Sequence, residues 1–307
     1  MSARWVAGTV RARAMAHRRI GAGGARALAA SPSLEDALAT LSASPYGHDV
    51  RTGQTLAEAQ RAVGDTLLWN LRVFAGWLPP DGGRQLRLLA GWFEIANVEE
   101  LLRGAAGGPA AAPFRLGALA TVAPRLAAAG SPAELRRVLA ASPWGDPGGE
   151  APADVVPALR LAWAERVAGG VPPARPWALA GGALLVAREL FVAGRPLPAV
   201  AEATARRLLG RAATTATTPA GFAAVLPRPA REALAGVTDP PSLWRAEARW
   251  WTRLDSDAAA LLRRPRFTAD PVVGAVGAAA ADAWRVCAAL ECAARGGQEL
   301  EVFDAVA

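Results

Sequence analysis

Few residues in this sequence are suited to acid–base, nucleophilic or zinc chemistry. The candidates are two histidines, His17 and His48, and two cysteines, Cys287 and Cys292. No GxSxG, HExxH, HxH or CxxC motif occurs, which argues against a Ser-His-Asp hydrolase and the usual zinc sites. Because five residues on a helix place the two cysteines on different faces, we expect two buried thiols in a reducing compartment and no disulfide.

Phosphate chemistry has equally little support. A P-loop needs a lysine, and the chain has none. GAGG at 21–24 lacks dinucleotide-binding spacing, and we predict that it terminates a helix. Asp255 and Asp257 are two residues apart and fall on different helix faces, so they substitute poorly for the DDxxD cluster that holds Mg²⁺ and diphosphate in α-helical isoprenoid enzymes. The sequence predicts no catalytic residue, metal or cofactor.

Composition and charge narrow the class further. The 307 residues are 52% hydrophobic and 20% charged, which is enough for a packed core. The 34 basic residues, all arginine, outnumber the 27 acids and give a net charge of +7. Residues 1–34 hold six arginines and no acid, so the remaining chain is nearly neutral. We predict neither a membrane-spanning segment nor a secretory signal, because the apolar runs are too short.

The elements that must position any site are helices. TLAEAQRAVGDTLLWNLRVFAGWL (55–78) has apolar residues at three- and four-residue steps, and a second helix is predicted over 82–104, capped by Asp81 and closed by Gly104. Alternating β-branched runs are missing, so the sequence predicts an all-α fold of about a dozen helices. The other predicted helices cover 3–20, 33–43, 115–129, 151–169, 176–193, 197–213, 241–263 and 271–295.

Eleven tryptophans offer large rigid surfaces to this fold. Five lie at helical positions among apolar neighbours and are expected in the core: Trp69, Trp77, Trp92, Trp163 and Trp244. In the adjacent pair Trp250 and Trp251, the rings point about 100° apart. Either one ring faces a partner, or the two are buried between two neighbouring helices.

An internal repeat is the most informative pattern. SLEDALATLSASPYG (33–47) aligns without gaps with SPAELRRVLAASPWG (131–145), and both begin with a helix-capping serine and end in Ser-Pro-aromatic-Gly. A weaker copy, TPAGFAAVL (218–226), keeps the cap and lacks the ending. The spacing near 90 residues is too long for a helical solenoid repeat and predicts three similar helical domains, over 1–107, 108–195 and 196–307.

Three segments resemble the C-subunit family of V/A-type rotary ATPases, whose eukaryotic V-ATPase members are the d subunits. They are VRARAMAHRRI, LEDALATLSASPYG and WFEIANVEELLRG. The second is similar to the family's Leu-x-x-Leu-x-x-Thr-x-Tyr-Gly segment, with Ser44 where Thr is common. The third matches its Asp-x-x-Asn-φ-x-x-φ-φ-Arg helix (φ, apolar), with Glu94 in place of the acid. Gly182 and Ala183 stand where Asn would fall in the middle domain, and Trp284-Arg285-Val286 replaces it in the third.

This resemblance implies three helical domains arranged as a funnel and a non-catalytic role without a cofactor. Such a central-stalk protein is a socket that links the D and F rotor shaft to the membrane proteolipid c-ring. It transmits torque in proton or sodium transport coupled to ATP, as a peripheral component on the cytoplasmic face of the cell membrane, and no nucleic acid is expected as a partner.

Six residues are candidates for a partner interface: Arg4, Arg11, Arg18, Tyr46, Asn97 and Arg103. The three N-terminal arginines recur every seven residues, which makes one helical stripe that is either a contact face or a solvated face. The other three have a role within their own domain as the alternative: turn packing, a helix-junction hydrogen bond and a partner for the helix dipole. For the whole chain, the alternative is an arginine-rich all-α nucleic-acid-binding or scaffold protein.

Overall fold

The computed structural model describes residues 3–298 and 300–306, without the side chains of Ala123, Val302 and Val306. The all-α prediction is confirmed: 74% of the chain is helical, and the described residues contain no strand. The α-helices are α1 Val6–His17, α2 Gly21–Ala29, α3 Leu34–Ser42, α4 Leu56–Ala75, α5 Pro80–Ala105, α6 Ala123–Leu126, α7 Pro132–Ala140, α8 Pro152–Gly170, α9 Arg175–Ala187, α10 Ala199–Leu209, α11 Pro219–Val225, α12 Arg228–Ala233, α13 Leu243–Arg263, α14 Ala269–Ala294 and α15 Leu300–Val306.

Shorter turns connect several of these helices. Arg188–Val192 continues α9 as a single π-helical stretch. The 3₁₀ turns are Ala3–Trp5, Pro45–His48, Gly117–Leu119, Pro172–Ala174, Arg211–Thr214 and Pro240–Ser242.

The chain forms two compact units. Unit 1 comprises Met1–Gly82 and Trp251–Ala307, and unit 2 is the continuous segment Gly83–Trp250. The predicted three domains and their funnel arrangement stay a prediction, and the boundaries near 107 and 195 do not coincide with this division. Unit 1 holds 15 arginines and 14 acids, a net charge of +1, whereas unit 2 holds 19 arginines and 13 acids, a net charge of +6. The basic N-terminal segment therefore lies in the nearly neutral unit, and most of the positive charge lies in unit 2.

The core of unit 1 is built around α14. Apolar side chains of α2, α3, α4 and α15 pack against it, among them Leu38, Leu41 and Phe303, each about 1% exposed. Gly274 lets α14 approach α13 closely, since a Cβ there would lie 2.7 Å from the carbonyl oxygen of Ala258. By length and composition α14 is long and apolar enough to cross a membrane, and 72% of its apolar window is buried within the structure.

Unit 2 contains two apolar clusters. The first joins α5, α6, α7 and α8 through residues such as Ile95, Leu126 and Leu139. The second joins α8 to α9, α10, α11, α12 and the start of α13, with Phe222 fully buried. Helix α8 takes part in both clusters and therefore connects them.

Several local predictions need correction. Asp81 lies inside the first turn of α5, which begins at Pro80, so it does not cap that helix. GAGG opens α2 rather than ending a helix, although Gly21, with φ +69°, does turn the chain between α1 and α2. The helix predicted over 115–129 reduces to a 3₁₀ turn and the four residues of α6.

The core prediction fails for three of the five tryptophans. Trp77, Trp92 and Trp244 are 51%, 41% and 43% exposed. Trp69 and Trp163 are half-buried; Trp69 stacks on the His48 ring at 4.2 Å, and Trp163 donates a hydrogen bond to the carbonyl of Leu88.

The adjacent pair packs within the chain. The Trp250 indole donates to the carbonyl oxygen of Trp177 in unit 2. The Trp251 ring stacks on Trp284 in unit 1 at 5.2 Å. Both rings are half-buried, which favours burial over the partner-facing alternative.

Candidate functional site

A buried carboxylate on α14 organises unit 1. Asp282 is 1% exposed. Its Oδ2 accepts a 2.9 Å hydrogen bond from the hydroxyl of Tyr46. The same carboxylate accepts the backbone N–H groups of Ile20 and Gly21, at 3.3 and 2.8 Å, and so caps the start of α2. The Asp282 side chain therefore holds both the start of α2 and the turn at 45–48 against α14.

A second aspartate of unit 1, Asp255, binds two arginines. Asp255 on α13 accepts 2.9 Å hydrogen bonds from Arg19 and from Arg285, whose side chain is 5% exposed. One carboxylate thus binds both guanidinium groups. Burial, followed by the charge of Asp282, raises the pKa of Tyr46 well above 10, so its hydroxyl stays protonated and donates.

Unit 2 repeats the arrangement with different residues. Glu94 on α5 is 1% exposed and accepts a 2.7 Å hydrogen bond from the indole N–H of Trp144. Its other oxygen accepts the backbone N–H groups of Thr121 and Val122, at 3.0 and 2.7 Å, just before α6. We call these two arrangements, Asp282 with Tyr46 and Glu94 with Trp144, the carboxylate–aromatic locks.

The turns that present the two aromatic rings are also alike. Ser44 accepts the N–H of Tyr46 and donates to the carbonyl of Leu41. Ser142 makes the matching pair of bonds with Trp144 and with the carbonyl of Leu139. The same local hydrogen bonding therefore places each ring over a distant carboxylate.

The predicted caps are confirmed in all three copies of the sequence repeat. Ser33, Ser131 and Thr218 each accept a backbone N–H three residues on, at the starts of α3, α7 and α11. The third copy differs, since it lacks the Ser-Pro-aromatic-Gly ending that presents the ring in the other two. Its Phe222, which lies within α11, packs edge-on against Phe191.

The arginine stripe of the first helix has both paired and unpaired members. Arg4 forms a 3.1 Å ion pair with Asp81 on the surface. Arg11 is half-buried and Arg18 exposed, and neither guanidinium has a hydrogen bond or ion pair within the described part of the chain. Arg18 lines an open cleft that also contains Tyr46 and Trp69.

The two candidates in unit 2 have partners inside that unit. Asn97 is 4% exposed, and its amide bonds both the N–H and the carbonyl of Phe114, which fixes the loop after α5. Arg103 pairs with Glu100 one turn earlier on the exposed face of α5. These contacts, and that of Tyr46, favour roles within the fold. Of the six predicted residues, Arg18 and Tyr46 line one cleft in unit 1, whereas Asn97 and Arg103 belong to unit 2.

Sequence reasoning missed Asp282, although a signal for it exists. Glu94-x-x-Asn97 on α5 and Asp282-x-x-Arg285 on α14 share an acid three residues before a buried polar side chain. Comparing the two long helices at that spacing would have identified both locks.

The remaining chemistry is limited. Burial, followed by the charge of Glu291, raises the pKa of the Cys287 thiol to about 12, which leaves it protonated and unreactive at neutral pH. Among the described residues, no group of three or more His, Cys, Asp or Glu side chains is placed to hold a metal ion. Asp255 and Asp257 are both in ion pairs with arginines.

Comparison with models of known protein families gives no match, and no curated protein matches the sequence significantly.

Proposed function

We propose that this chain is a non-catalytic central-stalk component of a V/A-type rotary ATPase. In that role it is the socket that joins the D and F rotor shaft to the proteolipid c-ring and transmits torque between them. It would lie at the cytoplasmic face of the cell membrane, held there through the ring. The proposal rests on the resemblance of the N-terminal hundred residues to the C-subunit family and on the repeated architecture described above.

The observation that supports it most is the repetition of the lock. Asp282 with Tyr46 and Glu94 with Trp144 hold similar Ser-Pro-aromatic-Gly turns to long helices, α14 in unit 1 and α5 in unit 2. Such repetition is consistent with a chain built from copies of one helical module, as the family is.

A torque-transmitting protein must deform little under load, and the locks contribute to that. Each joins elements far apart in sequence through three hydrogen bonds to a buried carboxylate. Bonds to charged acceptors are stronger than neutral ones, about 1.5–3 kcal/mol each, and burial makes their loss costly. Alanine and glycine on α13 and α14 add close helix contacts, such as that of Gly274 with Ala258.

The test is binding of the two proposed partners. The chain would be mixed with the D–F pair and, separately, with the detergent-solubilised c-ring encoded by the same genome, and each mixture analysed by size-exclusion chromatography. We expect co-elution in both cases and no ATP hydrolysis by the chain alone. Failure to bind either partner would remove the proposal.

The alternative, a nucleic-acid-binding protein, is favoured by one observation, the net charge of +6 on unit 2. It predicts duplex DNA or RNA binding whose affinity falls steeply with salt. Several arginines of unit 2 already bond acids or backbone carbonyls, including Arg136, Arg207 and Arg249. Undetectable binding to a duplex at low salt would exclude this alternative.

A further inference from the structure

In unit 1, α1 and α4 are neighbours, and a shallow groove lies between any two helices that pack side by side. Near one end, a Cβ at Gly8 would lie 2.7 Å from the Leu78 side chain beyond α4. Near the other end, Arg18 shares a cleft with Trp69 and Asn70 of α4. Residue numbers thus rise along α1 as they fall along α4, so the two helices run antiparallel and these two places lie near the ends of the groove between them.

The arginine stripe follows one edge of this groove. Arg4 reaches Asp81 at one end, and Arg18 lines the cleft at the other. Since seven residues are nearly two full helical turns, Arg11 lies on the same edge between them. The seven-residue step separates Arg11 and Arg18 by roughly 10 Å along the axis. Arg4, the member of the stripe that forms an ion pair, already binds a carboxylate, that of Asp81.

The two aspartates found near the cleft among the described residues are already occupied by other groups. Asp282 is occupied by Tyr46 and by two backbone N–H groups. Asp255 is shared by Arg19 and Arg285. The guanidiniums of Arg11 and Arg18 have no hydrogen bond or ion pair within the residues described. Arg11 and Arg18 therefore bring to the groove two positive charges that have no partner among the described residues.

We propose that this groove binds an acidic α-helix of a partner protein. Two carboxylates seven residues apart on that helix would match the spacing of Arg11 and Arg18, whose guanidinium groups bind carboxylates through paired hydrogen bonds. A third helix packs naturally in the groove between two neighbouring helices, and the half-exposed Trp69 ring supplies apolar contact beside the charges. The inference stands independently of the rotary complex, because it depends on these contacts alone.

The experiment uses the full chain and two fluorescently labelled helical peptides of about 20 residues and identical composition. One carries two glutamates seven residues apart, and the control carries them five residues apart, on different faces. The test variant is R11Q/R18Q. The matched control is R263Q/R266Q, which removes two exposed arginines of unit 1 that likewise have no partner within the described residues. Circular dichroism and thermal unfolding verify that both variants fold.

We expect the seven-residue peptide to bind wild type at least tenfold more tightly than its isomer, with an affinity that falls as salt rises. R11Q/R18Q should weaken that binding at least tenfold, and R263Q/R266Q should change it less than twofold. Equal binding of the two peptides, wild-type affinity in R11Q/R18Q, or no binding at millimolar peptide would overturn the proposal. So would a DNA duplex that displaces the peptide and shows the same loss in R11Q/R18Q, since a nucleic-acid surface would then explain the arginines.

Discussion

Replacing Asp282 with asparagine should destabilise unit 1 far more than an ordinary surface change. The amide keeps one acceptor oxygen but turns an NH₂ group toward donors, so it cannot serve Tyr46, Ile20 and Gly21 together. In either amide orientation one backbone N–H loses its acceptor and the remaining bonds lose a charged one, which together costs about 2–4 kcal/mol. For a unit of this size that lowers Tm by on the order of 10 °C.

The assay is urea unfolding followed by circular dichroism, with hydrogen exchange to localise the effect. Faster exchange should appear at the start of α2 and around the turn at 45–48. E94Q should produce the equivalent change around Thr121 and Trp144 in unit 2. The control is D304N, which breaks a surface pair with Arg26 whose side chains are about half exposed and should leave the urea midpoint almost unchanged. If D282N and D304N unfold alike, the carboxylate does not hold the turn and the helix start together.

Three further results are expected. Tyr46 is the only tyrosine, so ultraviolet titration should show its ionisation only well above pH 10. Because the pKa of Tyr46 is higher in the folded chain than in the unfolded chain, wild type should lose stability as pH rises beyond about 10, and Y46F should lose less. Cys287, with a pKa of about 12, should resist iodoacetamide at pH 8 until urea unfolds the chain, as measured by mass spectrometry. G47A, whose Cβ would overlap the carbonyl oxygen of Ser42, should lose about 2–3 kcal/mol in urea unfolding, whereas G23A, on α2 with open space, should gain up to about 1 kcal/mol.

Local features could be predicted from the sequence, and long-range ones could not. The caps at Ser33, Ser131 and Thr218 depend on residues within one turn, and the structure has all three. The partner of Tyr46 is 236 residues away, and no short-range pattern identifies it. The start of α2 was missed for the same reason, because its cap is a side chain of α14.

The tryptophans show a different limit of sequence reasoning. Helical spacing indicates which residues share a face, but the covering of that face depends on tertiary packing. Trp77 lies just beyond the end of α4 and Trp244 near the start of α13, and both are exposed. The local charge of unit 1 could not be predicted from the sequence for the same reason. The two ends of the chain meet in that unit, where Asp255 and Asp304 form ion pairs with Arg19 and Arg26.

The measurement that tests the central claim most directly is a bridging assay. The c-ring would be immobilised in detergent and the labelled D–F pair added with and without this chain. A socket predicts that the shaft pair is retained on the ring only when the chain is present, in a 1:1 ratio of chain to D–F pair. Equal retention of the D–F pair in both samples, or none in either, would contradict the proposed function.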